Sequence, residues 1–121
     1  MMATPATRPG YTVRRAADAP TVPCPCGQSA RIVTADDGLG CSLHVTEIRD
    51  SVRHYHRGFT EIYYVLEGTG RMVLNDDSVV VGPGTVVTIE PGTRHRLVSE
   101  RGVRTIVFSV PAFDPDDEHF D

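Results

Sequence analysis

A chain of 121 residues, 40% hydrophobic and 23% charged, has the size and make-up of one globular domain in water. Its formal net charge of -4 argues against nucleic acid as the main partner, and no stretch approaches the ~18 apolar residues that would span a bilayer. All 12 basic residues are arginine, which removes lysine-base and Schiff-base chemistry.

Residues 1–23 are rich in Pro, Ala, Thr and Arg without a regular period, so they are expected to form a flexible N-terminal arm. They contain no apolar run of the secretory kind. Three cysteines, Cys24, Cys26 and Cys41, are an odd number that fits a reducing compartment, and a cytoplasmic location is expected. From Ser29 the pattern changes. Arg31 to Gly38 reads as a strand closed by an Asp36-Asp37-Gly38 turn, and Cys41 to Ile48 alternates as the next strand. Val52 to His56 and Glu61 to Gly68 flank a short Arg-Gly-Phe-Thr connection. Arg71 to Gly84 reads as strand, Asn-Asp-Asp turn, strand and Gly-Pro-Gly turn. Thr85 to Glu100 is a strand, a Pro91-Gly92 turn and a strand opening at His95, and Val103 to Val110 is the last strong strand. The Asp-rich segment 113–121 is expected to fray. Strands at this spacing, with no 3.6-residue period, predict an all-β sandwich or barrel over residues 24–112.

Five histidines are present, and two form His54-Tyr55-His56. Side chains two apart on a strand share a face, so both imidazoles can reach one point while Tyr55 points away. Glu61 opens the following strand and can fold back beside them. His95, aimed by the turn before it, is the fourth candidate ligand. Imidazole and carboxylate donors suit a divalent transition metal (Fe, Mn, Ni, Co, Cu or Zn) better than Ca or Mg. Four such ligands leave about two positions of an octahedral ion for substrate, water or O2.

The spacing of His54, His56, Glu61 and Gly68 resembles the first sequence motif of the cupin superfamily, and Gly84, Pro91-Gly92 and His95 resemble the second. The resemblance covers roughly residues 38–110. Ile48, Thr85, Glu90 and Ser99 depart from the usual pattern at positions that do not ligate metal in the family. The resemblance implies an antiparallel jelly-roll β-barrel, one metal ion on His54, His56, Glu61 and His95, and a homodimer. It also implies a small-molecule substrate that chelates the metal through oxygen. We favour a non-haem oxygenase at this level. The alternatives are a metal-dependent isomerase, epimerase or lyase of a sugar or keto acid, and a non-catalytic binder.

Tyr63 shares parity with Glu61, His44 lies on a neighbouring strand, and Glu90 precedes the Pro-Gly turn. These three are the candidate acid/base residues. Arg31 and Arg53 are candidates for holding an anionic substrate. Met72, Leu74, Val87, Ile89, Phe108 and Val110 are the expected core or pocket lining. Cys24-Pro25-Cys26 has one residue between its cysteines where redox motifs have two, and no second ligand pair for structural zinc. Neither role is expected of it.

Overall fold

The computed structural model describes residues 10–24 and 26–121. Among these, eight strands follow one another: β1 (Thr21–Cys24), β2 (Gly27–Val33), β3 (Ser42–Asp50), β4 (Thr60–Glu67), β5 (Gly70–Leu74), β6 (Asp77–Val81), β7 (Val86–Ile89) and β8 (His95–Val110). Every pairing is antiparallel. The main path runs β1-β2-β3-β8-β4-β7, with β5 joining β6 to the first part of β8. The path does not close on itself, but it is the all-β jelly roll expected. No helix among the described residues is long and apolar enough to cross a membrane.

β8 organises the fold. Residues 95–98 pair with β5, and residues 103–109 pair with β3 on one side and β4 on the other. The two strands expected here are therefore one long strand. Its register slips between Ile48↔Val103 and Asp50↔Val98, so Ser99 to Gly102 bulge outward. The Ser99 hydroxyl donates to the Thr69 carbonyl at 2.6 Å and accepts from the Gly102 N–H at 3.1 Å, which ties off the bulge. Gly68 ends β4 with φ +86°, and a Cβ there would run into the Gly102 carbonyl. That contact explains the glycine that closes the first motif.

The core is built from Ile48, Tyr63, Val65, Met72, Val81, Ile89, Leu97, Val103 and Val107, with Cys26, Leu74 and Val87 packed partly against it. Met72 and Ile89 lie where the sequence pattern puts them. Phe108 and Val110 do not. On β8 the inward residues are Val103, Thr105, Val107 and Ser109, so Phe108 and Val110 face the other way, and Val110 is 45% exposed. Phe108 is more apolar than its neighbours, yet the pleat sends every second residue outward regardless of side chain.

Two end segments also differ from expectation. β1 starts at Thr21, inside the expected arm, and pairs along the whole of its length with β2; residues 1–9 of that arm lie outside the described residues. Residues 113–121 do not fray. His119 forms a backbone bridge with Tyr55, Asp117 accepts from the N–H groups of Arg57 and Gly58, and Asp121 accepts from the Arg94 guanidinium. Each acidic side chain of this set meets a specific donor, which composition alone does not reveal.

Candidate metal centre

His54 and Tyr55 make only isolated backbone bridges, so the expected strand Val52 to His56 is not a regular one. The alternation survives nonetheless. His54 and His56 are buried beside Glu61, the second residue of β4, and His95, the first residue of β8. Tyr55 points the other way, under the Arg94 guanidinium at 3.5 Å. The His56 carbonyl accepts from the Gly92 N–H at 2.7 Å. Gly92 reaches it with φ +85°, a left-handed conformation that glycine adopts without strain. The Pro91-Gly92 turn thus clamps one histidine while it aims the next.

The four side chains offer donor atoms that all lie within 4.8 Å of one another. The Nδ1 of each histidine faces a backbone carbonyl: His54 with Val52 at 2.6 Å, His56 with Asp117 at 2.7 Å and His95 with Thr93 at 2.9 Å. A carbonyl only accepts, so each Nδ1 carries the proton and each Nε2 of the neutral ring presents a lone pair to the centre. The Nε2 atoms of His56 and His95 sit 3.1 Å from Glu61 Oε1. All three atoms are buried without a well-formed hydrogen bond. A buried cluster of acceptors with no donor is costly unless a cation joins it. The donor set fits a borderline transition-metal ion.

The electrostatics agree. Burial, reinforced by His95, pushes His54 down to about 4. Burial would also lower His56, but contact with Glu61 raises it. Burial would raise Glu61, yet His56 and His95 hold it down to about 2. Glu61 therefore stays ionised at neutral pH, a negative charge ringed by imidazoles.

A cavity reaches His54, His56 and Glu61. Its wall includes Ser29, Arg31, His44, Thr46, Tyr63, Phe113 and Glu118, together with Cys24 and Cys26. Arg31 and His44 are cross-strand neighbours on β2 and β3. The Arg31 guanidinium lies 4.9 Å from the centroid of the Phe113 ring, and its Nε is buried without a partner. His44 is lowered to about 4 by burial and then by Arg31, so it is neutral at pH 7. Burial pushes the Tyr63 phenol well above its ordinary value, so it stays protonated. Glu118 Oε1 stands 4.0 Å from His54 Nε2.

Among the candidates from sequence, His44, Tyr63 and Arg31 line the cavity with His54, His56 and Glu61. Glu90 does not. It is exposed on the turn, because its inward-facing neighbour Ile89 takes the core position. Arg53 turns to the Asn75 carbonyl, away from the cavity. Phe113, Asp117 and Glu118 were missed from sequence, since no periodic signal marks a tail that folds back over the barrel mouth. The Cys24–Cys26 disulfide was also unexpected.

The sequence profile of the cupin domain matches residues 44–111. An L-ectoine synthase from Mycolicibacterium vanbaalenii is 36% identical over 89 residues, covering 69% of this chain and 68% of the relative. A crystal structure of a protein from Planctomyces limnophilus superposes with a TM-score of 0.86 at 33% identity, covering 93% of this chain and 98% of that one. The ectoine synthase of P. lautus shares the fold, with a TM-score of 0.75 at 19% identity over 85% of this chain and 80% of its own.

Proposed function

The chain belongs to the cupin family, and within it we propose a metal-dependent enzyme of the lyase or cyclase type that acts on a small carboxylate. One observation carries this reading: three buried imidazoles with Nδ1 on backbone carbonyls and Nε2 turned inward, clustered with one ionised carboxylate beside a cavity that also holds an arginine whose Nε has no hydrogen-bond partner. The L-ectoine synthases at 34–36% identity favour a cyclising condensation over oxygen chemistry. The oxygenase expectation draws no support from these relatives, so the isomerase or lyase alternative is preferred.

His54, His56, Glu61 and His95 would hold the ion. When bound, it would polarise a substrate carbonyl as a Lewis acid. The chain's own residues would do the rest. The Arg31 guanidinium would take the substrate carboxylate, a pairing its planar fork suits. Condensing an amine with a carbonyl moves two protons from nitrogen to the oxygen that leaves as water. Neutral His44 can accept a hydrogen bond from the reacting amine, and the protonated Tyr63 hydroxyl can donate one to the carbonyl oxygen. Phe113 and the tail behind it would keep bulk water from the reacting atoms.

The test runs the relatives' reaction backwards. Protein loaded with one transition metal per chain is mixed with L-ectoine, and ring opening is followed by proton NMR. Slow consumption by the native protein, lost in His95→Ala, is expected. Neither consumption nor line broadening of L-ectoine or other small cyclic carboxylates would refute the reading.

A homodimer is proposed on a separate observation. Tyr64 and Val86 are directly paired on β4 and β7, and both are exposed, an apolar pair that a second copy would cover. Sedimentation showing only monomers at micromolar concentration would count against it.

A further inference from the structure

We propose that Cys24 and Cys26 form a reversible dithiol–disulfide site in the wall of the metal cavity, with a small thiol–disulfide couple as co-reactant. The inference uses the cavity of the proposed function but does not need a metal in it. A disulfide joins the two residues across a sequence separation of two. A loop that short restrains the unfolded chain far less than a long one, so stapling the fold is a poor account of the bond. Backbone pairing already holds both sides of it, through Cys24↔Gly27 and Gly27↔Ile48.

Position supplies the positive argument. Both sulfur-bearing residues line the cavity that contains His44, His54, His56, Glu61 and Tyr63. Cys26 also lines a groove on the outer side with Gly27, Glu47, Arg49 and Arg101, and it packs against the core cluster. Both cysteines are half-buried. The pair therefore stands between the cavity and an outer approach. A small thiol can reach it from the outer groove, the access that thiol–disulfide exchange requires. Cys41 is a free thiol and is not part of the pair.

The exchange balances. On oxidation, the two thiols lose two protons and two electrons to a low-molecular-weight disulfide. That disulfide leaves as two thiols while one S–S bond forms in the wall. On reduction the bond opens, and two side chains that can ionise are returned to the cavity beside His44. Redox state then changes the charge and shape of the space offered to a substrate.

The full chain with Cys41→Ser is equilibrated, metal-free, across a series of reduced to oxidised glutathione ratios. Thiols are counted by maleimide labelling and mass spectrometry, and the histidine imidazole resonances are recorded by NMR at both extremes. We expect labelling to pass reversibly from two to zero and the His44 signal to shift with it. The same signal should stay fixed in protein that also carries Cys24→Ser and Cys26→Ser. Two labels at every ratio, a disulfide that survives excess dithiothreitol in the folded protein, or imidazole signals indifferent to redox state would each overturn the proposal. No metal is added, so a failure of metal binding leaves this readout untouched and sinks only the metal reading.

Discussion

His54 and His95 exchange both backbone hydrogen bonds: the His54 N–H donates to the His95 carbonyl at 3.1 Å, and the His95 N–H donates to the His54 carbonyl at 2.9 Å. Their ring centroids are 4.2 Å apart. Two candidate ligands from distant parts of the chain are thus fixed by one antiparallel bridge, so their spacing follows from backbone geometry. Sites carried on such hydrogen-bonded pairs hold their shape without an ion.

Ligand removal tests the cluster. The native protein should bind about one equivalent of Co2+ or Ni2+, with d–d absorption expected of nitrogen and oxygen donors. His56→Ala and His95→Ala should each remove most of that binding, while the far-UV circular dichroism stays unchanged. Full occupancy in both variants would rule out the ligand assignment.

The tail should matter to the same measurement. The Asp117 carbonyl accepts from His56 Nδ1, and loss of such an orienting partner typically costs 10–100-fold in metal affinity. Deleting residues 117–121 should weaken Co2+ binding by about that factor. An unchanged dissociation constant would mean that the tail is merely parked on the surface.

Arg31 should set affinity for an anionic substrate. A hydrogen bond to a charged group is worth about 1.5–3 kcal/mol, or roughly 10–100-fold. Arg31→Gln should raise KM, or the dissociation constant of a carboxylate ligand, by that range with a smaller effect on kcat, and Arg31→Lys should recover part of it. Equal affinity for neutral and anionic ligands in the native protein would remove the role.

Acid should destabilise the metal-free protein through His44. Its folded pKa is about 4 against an ordinary 6.5. Below 6.5 the unfolded chain takes up a proton that the folded histidine refuses, so stability falls as pH drops from 6.5 and levels off below 4. Thermal melts between pH 7 and 4 should show a shallower decline in His44→Gln than in the native protein. Parallel curves would show that the buried imidazole is not the group responsible.

The parity of β8 predicts a contrast in stability. Leu97 is 1% exposed and Val110 is 45% exposed. Leu97→Ala should cost about 2–5 kcal/mol in urea unfolding, whereas Val110→Ala should stay within about 0.5 kcal/mol. Comparable losses would indicate a core built differently around the end of β8.

Much of the candidate site is legible in one dimension. Alternation along His54-Tyr55-His56 predicts a shared face for the imidazoles, and the Pro91-Gly92 turn predicts that His95 starts a strand. Tyr63 follows Glu61 inward by the same rule. These are local relations, and the period of a pleated strand transmits them faithfully. Parity fails where its phase is misjudged. Phe108 and Val110 are apolar, but Val107 and Ser109 own the inward positions, because phase is set by pairing with β3 and β4.

Residue type and spacing by themselves determined the all-β class, the four clustered residues and the opposite orientation of Tyr55. Only the tertiary structure decided that Asp117 returns to His56 and Glu118 to the cavity, that Arg31 lies there against Phe113, and that Cys24 and Cys26 form part of its wall. Strand periodicity is a local property that survives in the linear chain, whereas these contacts join segments whose separation carries no period. They exist because particular donors and acceptors meet only after the sheet has formed.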